Sequence, residues 1–173
     1  MVKNVIDAIK ERRSIRRFKP EVVTKATIEH LLKAAISAPS AGNLQPWFFV
    51  VVFNEKVRQE LAEAAGQPFV AKAPVCIVVC AEPERSASRY GKRGRELYCI
   101  QDTAAAIENI LLAATALGLG ACWVGAFNEE RVASILELKP GLRPVAILPI
   151  GYPDEGNKAA PRRPLNEVIR IIE

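Results

Sequence analysis

Apolar residues recur along this chain with two periods, and the switches between them divide it into elements. Val5, Ile6 and Ile9 share one side of a short helix expected at 4–12. Thr24 can cap a second helix, in which Ile28, Leu31, Leu32, Ala35 and Ile36 take the three-and-four spacing of a core-facing stripe. Pro39 ends that helix, and "APSAGNLQP" is a loop of turn formers. "WFFVVVF" is short, aromatic and β-branched, as a buried strand is. A helix at about 55–65 and a strand at 74–81 follow, the strand sending Cys76 and Cys80 to the same face. Residues 83–97 are polar and carry Gly91 and Gly94, which predicts a mobile loop with some helical turns.

The segment 99–118, "CIQDTAAAIENILLAATALG", is the most apolar helix. Its strongly polar residues, Gln101, Asp102, Glu108 and Asn109, sit on one side. A helix so poor in polar surface must be covered on most sides, in a large core or against a partner subunit, and for a domain of this size the subunit interface is expected. A strand at about 121–126, a helix at 128–137 and a strand at 144–150 complete the compact part. After Gly151 the chain loses helical periodicity until the β-branched run Val168–Ile172, a segment suited to adding a strand to a free sheet edge.

Composition narrows the class. The chain has 173 residues, half of them apolar and a quarter charged, so a single domain spanning 1–173 is expected, with 152–173 as an extended tail. It contains no repeat or linker, and no apolar run long enough to span a bilayer. Its start lacks the pattern of a signal peptide, so a soluble cytoplasmic protein is expected. The four cysteines have no metal-ligand spacing and read as buried free thiols of a reducing compartment. The single histidine, His30, lies off its helix's apolar stripe. Zinc hydrolysis and a histidine triad are therefore unsupported, no metal is expected, and a bound organic cofactor is the simpler source of chemistry.

The net charge is +5, and much of it gathers in "KERRSIRRFK" at residues 10–19. Arginines that close repel one another unless an anion offsets them. The anion is counter-ions around a solvated face, a nucleic-acid backbone, or one bound phosphate, for which Ser14 and bidentate guanidinium groups are suited. The loop residues Ser40, Asn43 and Gln45 either cap their own backbone or hydrogen-bond a planar heterocycle. "GLGACWVG" has the order helix, glycines, strand, the reverse of a dinucleotide fingerprint, so Gly118 and Gly120 are expected to end the helix and permit close packing. "GAFNEERV" leads from a strand end into a helix, where backbone N–H groups can face a ligand.

Five blocks in order, "ERRSIRRF", "APSAGNLQPWFFVVV", "QDTAAAIENILLAATALGLGACWVGAF", "PIGYP" and "PRRPLNEVI", resemble the nitroreductase family over essentially the whole chain, in the form of its short members. The resemblance implies an α+β fold with a mixed, mainly antiparallel sheet flanked by helices, in an intertwined homodimer with C-terminal strand exchange. It implies FMN at the subunit interface and NADH or NADPH as electron donor. By the same resemblance Arg12, Arg13 and Ser14 bind the FMN phosphate and ribityl end, joined by Arg162 and Arg163. Arg16 reaches the flavin's pyrimidine edge and acts as electrostatic stabiliser. Pro39, Ser40, Ala41, Gly42, Asn43 and Gln45 match the loop contributed by the other subunit, and Val124, Gly125 and Ala126 the backbone segment facing the ring.

The implied activity is ping-pong reduction of an electron-poor small molecule such as a nitroaromatic or quinone. Another flavin reaction, or flavin sensing, is the alternative; a nucleic-acid-binding domain is the distant one, and neither nucleic acid nor membrane is expected as a partner. Residues 83–98 are expected to cover the site, with Tyr90 and Tyr98 stacking on the acceptor or half-buried against the domain. Arg89, Lys92, Arg93 or Arg95 would attract an anionic acceptor.

Overall fold

The computed structural model describes residues 3–156 and 159–173; positions 157 and 158 of the expected tail lie outside the described residues. The helices are α1 (Val5–Glu11), α2 (Lys25–Ile36), α3 (Glu55–Ala65), α4 (Phe69–Lys72), α5 (Pro83–Arg93), α6 (Cys99–Ala116) and α7 (Glu129–Ile135). The strands are β1 (Trp47–Val52), β2 (Val75–Ala81), β3 (Gly120–Ala121) and β4 (Arg143–Gly151), in the order β1-β2-β4-β3 with every adjacent pair antiparallel.

β2 organises the interior because both of its faces are apolar and both are covered. Val75, Ile77 and Val79 meet Ile28, Leu31 and Ala35 of α2 and Ile107, Ile110 and Leu111 of α6 in one core. Cys76, Val78 and Cys80 join Leu61, Val70 and Val132, from α3, α4 and α7, in the other. All seven β2 residues have 0% exposure, and each fully buried Val or Ile contributes about 1.5–3 kcal/mol. The molecule is thus a sheet between two helical layers.

Local signals placed several elements where expected. The Thr24 side chain accepts from the Thr27 N–H to start α2, and Asn54 and Asn128 start α3 and α7 the same way. His30 is exposed, and all four cysteines are buried and free.

Two expectations need correction. Residues 83–97 are not a loop: α5 forms there and passes through a π-helical turn, Gly94–Tyr98, directly into α6. Contacts across the segment, beyond one helical turn, hold it. Ser86 is buried, a Cβ on Gly94 would lie 2.4 Å from the Ser86 carbonyl oxygen, and Arg95 forms a paired hydrogen bond to Glu84. The strand expected at 121–126 is reduced to β3 and one bridge, Val124 to Ile147.

Among its described residues the tail forms no strand in the single chain; it has a 3-10 turn at Leu165–Glu167, and Val168, Ile169, Ile171 and Ile172 stay 49–81% exposed. A strand exists only against a partner edge, and the outer edge of β1 is unpaired here. The apolar side of α1 is open as well, with Val5, Ile6 and Ile9 at 62%, 54% and 53%. Among the described residues no helix is long and apolar enough to cross a membrane.

Candidate functional site

The basic segment leaves α1 and runs along the end of the sheet. Ser14 bridges Ala121 of β3, the Ile15 N–H donates to the Ala121 carbonyl at 3.0 Å, and Phe18 bridges Pro153. The Lys19 N–H donates to the Tyr152 carbonyl at 2.8 Å and the Asp154 N–H to the Arg17 carbonyl at 2.9 Å, so residues 14–19 lie beside 152–155. Glu155 secures this seam by accepting from the backbone N–H groups of Arg16 and Arg17.

The arginine side chains diverge in use. Arg13 Nη1 donates to the carbonyls of Lys10 and Arg12 at 2.7 Å each, satisfying the open end of α1, while its buried Nε has no partner. Arg12 Nε lies 3.8 Å from a Glu108 carboxylate oxygen on α6. The Arg16 guanidinium is 5.8 Å from the centre of the Phe69 ring and pairs with no carboxylate among the described residues. Below them, burial pushes the Cys122 thiol up, with Arg16 and a hydrogen bond from Ser14 opposing.

The 39–45 loop forms a second locus. Ser40 Oγ accepts from the Gln45 N–H at 2.9 Å, the Ser40 carbonyl from the Asn43 N–H at 2.9 Å, and Asn43 Oδ1 from Gln45 Nε2 at 3.1 Å. Gly42, Asn43 and Gln45 all have left-handed backbones, at φ 57°, 55° and 52°. The loop therefore caps itself and still exposes the Asn43 and Gln45 amides.

From α6, the buried Asp102 accepts from the Ala41 N–H through Oδ1 at 3.1 Å, while Oδ2 makes no hydrogen bond. Burial pushes its carboxyl up from the ordinary aspartate range, with the Ala41 N–H pulling the other way. From the other side, α5 leans on the loop: Arg85 Nε donates to the Leu44 carbonyl, and a Cβ on Gly42 would lie 2.7 Å from Tyr90 Oη.

α5 and the π turn carry the aromatic residues. Tyr90 and Tyr98 pack edge to face with ring centres 5.1 Å apart, both half-buried. Arg93 donates to Tyr98 Oη at 3.0 Å and stacks on its ring, and Arg89 stacks on Tyr90. Arg95 is held by Glu84, and Lys92 lies 3.9 Å from Glu96.

Residues 9–69 and 62–152 match the profile of the Nitroreductase family. The chain belongs to the nitroreductase family. An Archaeoglobus fulgidus relative, provisionally named an NADH dehydrogenase/NAD(P)H nitroreductase, is 40% identical over 150 residues, 83% of this chain and 82% of that one. The FMN reductase (NADPH) of Bacillus subtilis is 29% identical over 95% of this chain and 72% of its own. In structure, the NADPH:FMN oxidoreductase of Vibrio harveyi, complexed with NAD+, superposes at a TM-score of 0.89 with 28% identity, covering 99% of this chain and 78% of that one.

In this chain the fold gathers Arg12, Arg13, Ser14 and Arg16 near β3. Val124 exchanges backbone hydrogen bonds with Ile147 at 3.0 and 2.9 Å, and Gly125 and Ala126 are exposed just beyond it. The fold gathers Pro39 to Gln45 separately, beneath α5. No hydrogen bond or ion pair joins the two loci among the described residues, and neither reaches the tail's basic pair. Arg162 donates to the carbonyls of Ala160 and Pro161, and Arg163 binds Glu167.

Sequence reading missed Glu155 and Asp102. Glu155 had a signal, standing just after "PIGYP"; Asp102 had none, because a buried acid and a solvated one look alike on a helical wheel. Among the described residues no group of His, Cys, Asp or Glu is placed to hold a metal.

Proposed function

We propose that this nitroreductase is an FMN-dependent oxidoreductase that takes electrons from NADH or NADPH and passes them to an electron-poor small molecule, a nitroaromatic or a quinone, in ping-pong fashion. One observation carries the reading: Arg16 is an exposed guanidinium without a carboxylate partner among the described residues, on a backbone held by Ala121 on one side and Glu155 on the other. The residues fit the cofactor. The unpaired Arg13 Nε, the exposed Ser14 and Arg12 together suit a dianionic phosphate. The exposed amides of Asn43 and Gln45 suit the edge of a heterocycle.

FMN supplies the hydride-accepting chemistry when bound, so no side-chain base is required. Arg16 acts as a fixed positive charge that favours negative charge on the group it faces. Arg162 and Arg163 complete the phosphate site, Val124, Gly125 and Ala126 present backbone to the ring, and Tyr90 and Tyr98 cover the acceptor position.

The two loci are completed by a second copy of the chain, one copy contributing 12–16 and the other 39–45. A homodimer also accounts for the open apolar side of α1, the free edge of β1 and the apolar tail, whose residues Val168–Ile172 would pair with that edge in the partner. The four buried thiols fit a reducing cytoplasm.

The visible spectrum of the purified protein, recorded with FMN before and after anaerobic addition of NADH or NADPH, tests the reading. Flavin bands that bleach with either nucleotide are the expected result. A protein that stays colourless after incubation with FMN refutes it.

A further inference from the structure

We infer that Asp102 and Arg85 are positioning residues that clamp the 39–45 loop in its left-handed conformation before any ligand arrives, so that the Asn43 and Gln45 amides are presented ready-made. The inference rests on the FMN reading for the purpose of the loop, but the clamp stands on contacts within this chain.

Three residues of the loop have positive φ; glycine and asparagine adopt it readily, but Gln45 carries a side chain that makes this conformation costly. Such backbone persists only where the surroundings over-determine it. The hydrogen bonds among Ser40, Asn43 and Gln45 close the loop on itself without fixing it to the protein. Besides the local bond from the Trp47 N–H to the Gln45 carbonyl, two polar links join the loop to distant elements, and they flank the first two left-handed residues. Ala41 donates its N–H to Asp102, 61 positions away on α6, and Leu44 offers its carbonyl to Arg85, 41 positions away on α5. Tyr90 and Arg89 then close over Gly42, where a Cβ would lie 2.7 Å from Tyr90 Oη and 3.1 Å from Arg89 Nη1.

Asp102 has no other evident task. The π turn at Gly94–Tyr98 winds straight into α6, so the carboxylate is not needed to cap a free helix end. It is 7% exposed, and its second oxygen makes no hydrogen bond. Burying a carboxylate that way is costly. The return is one charge-assisted bond to the amide at the loop's entry. A loop ordered in advance loses less entropy when a ligand binds.

Hydrogen exchange of the FMN-free protein, followed on a peptide covering residues 38–46, reads the clamp directly, and an FMN titration reads its consequence. For Asp102→Ala we expect the Ala41 amide to exchange about tenfold faster and the FMN dissociation constant to rise about tenfold, the size of losing one such bond. Asp102→Asn keeps an acceptor oxygen and should restore both readouts to within about threefold of the parent, on the same reasoning. Arg85→Gln, an exposed change that spares the core, should loosen the same peptide. Parent-like exchange in both Asp102→Ala and Arg85→Gln, or Asp102→Asn exchanging as fast as Asp102→Ala, overturns the clamp. If the parent protein binds no FMN, the proposed function fails while the exchange data still decide the clamp.

Discussion

Replacing Gly120 with alanine tests whether the arginine segment owes its position to close packing against β3. A Cβ at Gly120 would lie 2.7 Å from Ile15 Cγ1 and 2.8 Å from Ile15 Cβ and Cγ2, where carbons normally rest about 3.5–4.0 Å apart. Rotating the Ile15 side chain cannot clear the clash, because its own Cβ takes part. The backbone of Ile15 must move away by about 1 Å to restore ordinary contact, straining the bond from its N–H to the Ala121 carbonyl and displacing Ser14 and Arg16.

Overpacking of this kind costs about 1–3 kcal/mol, and the strained hydrogen bond about 1 more. At about 2–4 °C per kcal/mol for a chain of this size, the melting temperature should fall by roughly 5–15 °C. The FMN dissociation constant should rise at least about tenfold if the displaced groups lose one charge-assisted bond. Gly118→Ala is the control: Gly118 has φ 77° with open space where a Cβ would go. It should lose about 1 kcal/mol through the backbone alone and keep full FMN affinity. Thermal melts and fluorescence titrations of the three proteins suffice. Gly120→Ala with parent-like melting and affinity, or a large melting loss with unchanged FMN affinity, would refute the argument that β3 seats the arginines.

Further outcomes follow from other parts of the structure. Arg12→Ala should weaken FMN binding, and since its ion pair with Glu108 is long and partly exposed, stability should fall by less than about 1 kcal/mol; Arg16→Ala should retain some binding but slow flavin reduction in stopped flow. Burial pushes the Cys76 and Cys80 thiols to about 12 and raises those of Cys99 and Cys122, so a thiol reagent at pH 8 should label the native protein slowly and all four cysteines quickly once denatured. The Glu129 carboxyl is held low by its paired hydrogen bond with Arg143. Its stabilisation should be present above the ordinary glutamate range and lost as pH falls through the lowered value, so Glu129→Gln melts should approach the parent's in acid. Asp102 has the opposite sign: its raised value favours folding below the ordinary aspartate range and is lost as pH rises through it. Melts of Asp102→Asn should therefore gain on the parent between acid and neutral pH.

Much of the fold was legible because its signals are local. Thr24 and the stripe from Ile28 to Ala35 specify α2 by a cap and a period, both properties of neighbouring residues. The apolar run of β2 and the turn formers of 39–46 are equally local. The arginines and the loop were recognisable as candidates because unusual chemistry is concentrated in a few consecutive positions.

What escaped that reading depends on residues far apart in the chain. α5 is polar and carries a glycine at φ 53°, features of a loop, yet it is helical because Ser86 is buried and the segment packs onto 40–45 and onto Gly94. Asp102 looked like part of a solvated face until Ala41 was brought to it, and Glu155 gained its purpose only when 152–155 came to lie beside 14–19. Conversely, Val168–Ile172 has the composition of a strand and forms none in one chain, because pairing needs an edge that composition does not supply. The sequence by itself determined where the side-chain-capped helices start, which strand is buried and where the chemistry gathers. Which polar groups are buried, and which apolar ones remain open, was decided by tertiary structure, because burial depends on neighbours that no local pattern contains.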